Sequence, residues 1–284
     1  MQTRRIGDRE VSAIGLGGMP MSIEGRPDRQ RSIATIHAAL DEGVTLIDTA
    51  DAYSLGADDV GHNEALIAEA LASYGGATDD VLVATKGGHT RPGDGSWQLD
   101  GRPEYLKQAC EASLKRLGVD AIGLYQFHRP DPTVPYEESV GAIRDLLDEG
   151  KIRLAGISNA NPEQIRLSQE ILGGRLASVQ NQFSPAFQSS RPELELCDEL
   201  GIAFLPWSPL GGISKAGGLG DKFKPFQQVA DAHDASPQQV CLAWMLALSP
   251  VVVPIPGSSR PETIKSSAAA VHLQLTPEEL QQLG

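Results

Sequence analysis

Cysteines, aromatic side chains and long apolar runs are all scarce in this sequence. Only three of the 284 residues are cysteine and 5% are aromatic. The cysteines lie far apart and lack metal-ligand spacing, which argues against a disulfide framework or a structural zinc site. No apolar run reaches the roughly 18 residues of a membrane-spanning helix, and no signal-peptide pattern opens the chain. These absences predict a cytoplasmic protein with reduced, buried thiols and no membrane partner.

Basic residues are also in deficit. The chain has 24 lysines and arginines against 37 aspartates and glutamates, a formal net charge of −13. A strongly acidic chain is a poor partner for nucleic acid or for an anionic membrane. The balance therefore favours a small-molecule partner. If that ligand is anionic, a few local basic residues and backbone N–H groups must hold it.

Strand-like and helix-like segments alternate along the chain. The strand-like segments are short and mostly apolar, as expected for parallel strands that are covered on both faces. Strands are predicted at 13–16, 46–48, 81–85, 122–127, 154–157, 178–182, 203–207 and 251–255. Helices are predicted at 28–42, 62–73, 103–117, 136–149, 162–172, 192–200, 237–248 and 261–270. Many of these helices begin with proline, whose missing N–H costs nothing in the first turn.

This alternation favours one architecture over its main competitor. Eight βα repeats in a chain of this length predict a single α/β domain over residues 1–284, a (β/α)₈ TIM barrel. A short β-hairpin at residues 3–12 is expected to cross its bottom. A doubly wound open sheet usually carries Gly-x-Gly-x-x-Gly after a strand, and the glycines at 15–18 lack that spacing. Long loops at 87–102 and 211–225 are expected on the ligand-binding face.

Titratable residues follow three consecutive predicted strands. They are Asp48 with Tyr53, then Lys86, then His128. A buried Lys86 needs a partner because an isolated ammonium is costly to bury, and Asp48 can provide it. A cation beside Tyr53 is expected to lower the pKa of the phenol and make it a better general acid. His128 could orient a carbonyl by hydrogen bonding or help to relay the proton. Protonating a carbonyl oxygen is useful only if a hydride reaches the carbon, which indicates a nicotinamide cofactor.

The later strands end in groups that suit such a cofactor. Ser158, Asn159 and Gln180 can hydrogen-bond a carboxamide, and Trp207 offers an aromatic plane before a glycine-rich turn. The last strand leads through hydroxyls and one arginine into a helix, whose N-terminal N–H groups favour phosphate. No cluster with the spacing of metal ligands is present, and no metal is predicted.

These motifs together resemble the aldo-keto reductase superfamily. They run in the family's order along nearly the whole chain: Asp48-Thr49-Ala50-Asp51-Ala52-Tyr53, Thr85-Lys86, Gln126-Phe127-His128, Gly156-Ile157-Ser158-Asn159, Gln180-Asn181, Trp207-Ser208-Pro209-Leu210-Gly211 and Ile255-Pro256-Gly257. The resemblance implies reduction of aldehydes or ketones with NADPH, with Tyr53 as the proton donor.

The resemblance also implies roles for individual residues. The catalytic tetrad would be Asp48, Tyr53, Lys86 and His128. The NADPH or NADP⁺ contacts would be Gly18, Met19, Asp48, Ser158, Asn159, Gln180, Trp207, Ser208, Leu210, Gly212, Ile255, Gly257, Ser258 and Arg260. Among these, Trp207 would stack on the nicotinamide, and Ser258 with Arg260 would meet the 2′-phosphate. The substrate would contact Met19, Tyr53, Trp97 and His128.

Several questions stay open at this stage. Gly257 stands where many relatives have lysine, and Thr263 and Ser267 replace an arginine and an asparagine, so NADH is also possible. The carbonyl substrate and the choice between monomer and homo-oligomer are undetermined. Two other functions are considered: a regulatory subunit that senses NADPH with little turnover, and a lyase that uses Lys86 as a Schiff base. The histidines other than His128, among them His89, are interpreted as structural.

Overall fold

The computed structural model describes residues 1–284 and begins with a β-hairpin. Its strands β1 (Thr3–Ile6) and β2 (Arg9–Ser12) pair antiparallel around a turn in which Gly7 has a φ of 58°. The remaining strands are β3 (Leu16–Gly17), β4 (Leu46–Asp48), β5 (Leu82–Gly87), β6 (His89–Thr90), β7 (Gln98–Leu99), β8 (Ile122–Phe127), β9 (Ile152–Ser158), β10 (Leu176–Gln180) and β11 (Ala203–Phe204).

Seven of these strands form one parallel sheet. Its order is β11-β10-β9-β8-β5-β4-β3, so neighbours in the sheet are consecutive along the chain once the small β6–β7 hairpin is set aside. That hairpin lies within the predicted loop at 87–102. The successive parallel strands with intervening helices confirm the predicted barrel architecture.

Residues 251–257 close the ring between β11 and β3. Val252 bridges Phe204 and Gly257 bridges Gly17, both in parallel orientation. Pro254 accepts a hydrogen bond from Gly15, 3.0 Å from N to O, and Pro256 accepts one from Gly17 at 2.9 Å. Prolines have no N–H to donate in return, so the segment lacks the full ladder of a regular strand. The predicted eighth strand is therefore present as an irregular segment that is hydrogen-bonded to the chain on both sides.

The helices surround this sheet. They are α1 (Arg29–Asp41), α2 (His62–Ser73), α3 (Pro103–Leu117), α4 (Tyr136–Asp148), α5 (Pro162–Ile171), α6 (Arg191–Leu200), α7 (Leu219–Lys222), α8 (Lys224–Ala232), α9 (Pro237–Leu248), α10 (Pro261–Ala269) and α11 (Pro277–Leu283). All eight predicted helices are present. The prediction of a plain loop at 211–225 was wrong in part, because α7 and the start of α8 lie there. Helix α8 forms because its apolar Phe226, Val229 and Ala230 pack into the core.

The hairpin seals one end of the barrel. Ile6 is fully buried in a cluster with residues near the N-terminal ends of the strands, including Leu46, Leu82 and Ala203. This packing confirms the predicted position of the hairpin across the bottom, and the opposite, C-terminal end is left open. All three cysteines are buried and unpaired. The helices include none with the length and apolar character of a membrane span.

Candidate active site

A buried ion pair lies at the open end of the barrel. Strand β4 ends at Asp48, and its parallel neighbour β5 carries Lys86 two residues beyond the paired Ala84. The Lys86 ammonium donates to Asp48 Oδ2 at 2.7 Å, to the Thr49 carbonyl at 2.8 Å and to the Tyr53 hydroxyl at 3.1 Å. Burial disfavours the charge, but Asp48 and Tyr53 together outweigh it and raise the pKa of Lys86. The side chain is therefore a fixed cation.

The second oxygen of Asp48 is also occupied. Gln180 Nε2 donates to Asp48 Oδ1 at 2.7 Å, and Gln126 Nε2 lies 3.5 Å from the same oxygen. Ser178 in turn donates to Gln126 Oε1 at 3.3 Å. Strands β8 and β10 thus contribute to the orientation of a carboxylate on β4. Gln126 and Ser178 were not predicted, although both face the barrel interior beside predicted residues.

Tyr53 sits on the loop after β4, with its hydroxyl on Lys86. Its ring is edge-on to His128, with centroids 5.8 Å apart, and to Trp97 at 6.5 Å. The expectation of a lowered pKa was wrong in direction. Burial raises the pKa of Tyr53, and the charge of Lys86 offsets only part of this effect. Tyr53 is 7% exposed and therefore carries its proton at neutral pH.

Two imidazoles stand beside the phenol. His128 follows β8 and His89 follows β5, and their ring centroids are 4.3 Å apart. The Nδ1 atoms of both rings are buried without a hydrogen-bond partner. Burial lowers the pKa of His128 well below its usual value and that of His89 to about 4, with a further contribution from Lys86 and Arg129. Both rings are neutral at pH 7, and His89 belongs to the cavity rather than to the core.

A tight turn after β9 presents the predicted carboxamide partners. Asn159 has a φ of 57°, and its Nδ2 donates to the His128 carbonyl and to Ser158 Oγ, each at 3.0 Å. Ser158 Oγ donates to the Gln180 carbonyl at 2.7 Å. Arg129 Nη2 donates to Asn159 Oδ1 at 3.2 Å. Sequence reasoning missed Arg129, although it directly follows a predicted catalytic residue.

These side chains open into a cavity of about 610 Å³. Its wall includes most predicted site residues: Met19, Asp48, Tyr53, Trp97, His128, Ser158, Asn159, Gln180, Trp207, Ser208, Leu210, Gly212, Ile255, Gly257, Ser258 and Arg260. Lys86 lies beneath the wall and reaches it through Tyr53. Gly18 does not line the cavity. It packs against Asn63, and a Cβ added at Gly18 would lie only 2.5 Å from Asn63 Oδ1. Its neighbour Gly17 lines the cavity instead.

The far end of the cavity has exposed backbone and hydroxyl groups. Gly211 and Gly212 have φ values of 88° and 107°, which glycine permits, and Ser208 also has a positive φ of 51°. Ser258 and Thr263 flank the start of α10, which follows Arg260, and both line the cavity. The indole N–H of Trp207 is buried without a partner. A helix start, hydroxyls, an arginine and an orphaned donor fit a dinucleotide cofactor.

A family model gives the decisive comparison. The model of the Aldo/keto reductase family matches residues 13–284. The chain belongs to this family. An uncharacterised oxidoreductase of Schizosaccharomyces pombe is 35% identical, and the match covers 97% of this chain and 87% of that protein. A probable aldo-keto reductase of Glycine max is 33% identical over 96% of this chain and 85% of that protein.

Solved structures of aldo-keto reductases share the fold. A thermostable aldo-keto reductase in complex with the inhibitor epalrestat has a TM-score of 0.83 and 27% identity, covering 100% of this chain and 98% of its own. An aldo/keto reductase from Klebsiella pneumoniae, in complex with NADP and acetate, has a TM-score of 0.80 and 29% identity, covering 99% and 93%. The protein is therefore an oxidoreductase by family, and it has the family's barrel fold.

Proposed function

We propose that this protein catalyses reversible hydride transfer between NADPH and an aldehyde or ketone, with Tyr53 as the proton donor. The observation that carries the proposal is the contact of the Tyr53 hydroxyl with Lys86 at 3.1 Å, on the wall of a cavity that could hold both reactants.

Lys86 acts on the phenol at the moment the proton leaves. Because burial raises the pKa of Tyr53, the resting enzyme keeps the proton that reduction consumes. The positive charge on Lys86 then stabilises the phenolate as it forms, which is charge stabilisation by a preorganised group. Asp48 keeps Lys86 in place through the 2.7 Å contact. The pair therefore lowers the barrier without making the tyrosine acidic at rest.

His128 supplies a neutral group next to the phenol. Its low pKa means that the ring neither repels Lys86 nor competes with Tyr53 as an acid. An imidazole N–H can hydrogen-bond the substrate oxygen and hold it near the Tyr53 hydroxyl. The hydrogen bond from Asn159 to the His128 carbonyl fixes the backbone at this position. We assign His128 the role of orienting the carbonyl.

NADPH, when bound, supplies the hydride for the carbonyl carbon. Ser158, Asn159 and Gln180 would hold its carboxamide, and Trp207 would pack on its nicotinamide ring. The pyrophosphate would lie on Ser208, Leu210 and Gly212, and Met19, Ile255 and Gly257 would line the groove. Ser258 and Arg260 would bind the 2′-phosphate. The NADP complex of the Klebsiella pneumoniae relative supports this choice of cofactor.

A Schiff-base reaction at Lys86 is disfavoured by the surroundings of that residue. A lysine nucleophile must be deprotonated and accessible. Lys86 is fully buried, its three donor positions are all engaged, and its pKa is raised. We also assign the enzyme to a reducing compartment such as the cytoplasm, in keeping with its unpaired cysteines.

The test of the proposal is the Tyr53→Phe variant. Removing the hydroxyl should lower kcat for an aldehyde by at least about 10²-fold, the low end of general acid catalysis. The dissociation constant for NADPH, measured by quenching of tryptophan fluorescence, should change little because the ring remains. Turnover like that of the wild type in this variant would overturn the assignment of the proton donor.

A further inference from the structure

Arg129 lies at the catalytic end of the cavity, and no acidic side chain of the protein pairs with its positive charge. Its only side-chain hydrogen bond goes to Asn159 Oδ1, a neutral acceptor, at 3.2 Å. No carboxylate of the chain lies within 4.0 Å of its nitrogens, whereas the acidic groups on the same wall, Asp48 and Glu24, pair with Lys86 and Arg91.

The position of Arg129 is close to the reacting groups. Its charge contributes to the lowered pKa values of both His128 and His89, so the guanidinium lies within electrostatic range of both rings. His128 is itself only 7% exposed, and its Nδ1 has no partner in the protein. Burial without a compensating anion also lowers the pKa of Arg129 itself. The group is thus partly desolvated, and no carboxylate of the protein neutralises the charge that a ligand anion would bind.

We propose that Arg129 binds a carboxylate of the substrate, so that the preferred substrates are carbonyl compounds that also carry a carboxylate. This inference rests on the proposed function, because the aldehyde or ketone group must reach Tyr53. A guanidinium presents five N–H donors in a planar fork that matches a carboxylate, and only one nitrogen of Arg129 is engaged. Asn159, in the turn after β9, accepts a hydrogen bond from the Arg129 guanidinium and donates one to the His128 carbonyl, so it holds the guanidinium beside His128.

The test uses pairs of aldehydes that differ in charge. 2-, 3- and 4-carboxybenzaldehyde place the carboxylate at three distances from the carbonyl, and their methyl esters keep the substitution pattern but lose the charge and gain one methyl group. For at least one isomer, kcat/KM for the acid should exceed that for the ester by about 10- to 100-fold, the factor that a charged hydrogen bond supplies. In Arg129→Met this preference should vanish while turnover of the ester persists.

Two further variants separate recognition from structure. Arg129→Lys should keep part of the preference, because the charge remains while the fork is lost. Arg153→Met is the matched control, since Arg153 is an exposed arginine of β9 outside the cavity and its loss should leave the preference intact. The dissociation constant for NADPH should be the same in Arg129→Met and in the wild type.

Three results would overturn the proposal. Equal kcat/KM for acid and ester at all three positions in the wild type would remove the carboxylate site, while turnover of the esters would leave the reductase function standing. A weakened NADPH complex in Arg129→Met would assign the arginine to the cofactor instead. Absence of turnover with every aldehyde would overturn both this inference and the proposed function.

Discussion

Two groups of polar residues share the wall of the cavity and differ in how well the protein satisfies them. Around Lys86 and Asp48, the ammonium has three acceptors and each carboxylate oxygen has a donor. Around His128, His89 and Arg129, two ring nitrogens and most of a guanidinium have no partner. Buried polar groups are normally hydrogen-bonded. The first group has its hydrogen-bond partners within the protein, whereas we expect a bound ligand to supply the missing partners of the second.

The difference follows from where the residues lie. Asp48 and Lys86 belong to adjacent parallel strands whose register pairs Asp48 with Ala84, so backbone hydrogen bonds fix their separation. His89 and Arg129 lie in the connections that follow β5 and β8. Connections of a barrel face the ligand and vary more freely than its strands. The strands therefore fix the Lys86–Asp48 pair, and the connections after them carry the proposed proton donor Tyr53 and the proposed recognition of the substrate.

The largest effect is expected when the complete group loses its cation. Lys86→Met leaves Asp48 buried and unpaired, which should lower the free energy of unfolding by about 3–5 kcal/mol. It should also reduce kcat by at least about 10²-fold, because the phenolate loses its stabilising charge. Urea unfolding and steady-state kinetics measure the two effects. Lys265→Met, which removes an exposed lysine of α10, is the control, and equal behaviour of both variants would contradict the account.

A smaller effect is expected at the far end of the cavity. Arg260→Ala should raise the dissociation constant for NADPH by about tenfold or more, the value of one charge-assisted contact to phosphate. Binding of NADH, which lacks the 2′-phosphate, should be nearly unchanged. Fluorescence quenching with both cofactors measures the ratio. The same loss for both cofactors would remove Arg260 from the 2′-phosphate site.

The smallest effect is expected from pH. His89, with a pKa of about 4, and His128, whose pKa is also lowered, stay neutral above about pH 6.5, and Tyr53, whose pKa is raised, stays protonated to about pH 9. The kcat/KM for reduction should therefore be flat over this range and fall only above it. Alcohol oxidation needs the phenolate and should rise with pH. A step near pH 6.5 in the reduction profile would show that a histidine titrates in catalysis.

The sequence predicted the strand ends better than the loops. Asp48, Lys86 and His128 could be brought together because parallel strands end at the same edge, so their order along the chain was sufficient. His89 and Arg129 were missed because their side chains reach the cavity through loop conformation, which periodicity does not encode. The pKa of Tyr53 was predicted in the wrong direction because the sequence reveals a neighbouring cation but not the depth of burial.

The most direct test of hydride transfer uses NADPH carrying deuterium at both C4 positions. The purified protein is mixed with this cofactor and 4-carboxybenzaldehyde or its methyl ester, and the alcohol is analysed by mass spectrometry and NMR. The account predicts one deuterium on the carbinol carbon of the alcohol. Tight cofactor binding with no labelled alcohol from any carbonyl compound would contradict it and favour a protein that senses NADPH without turnover.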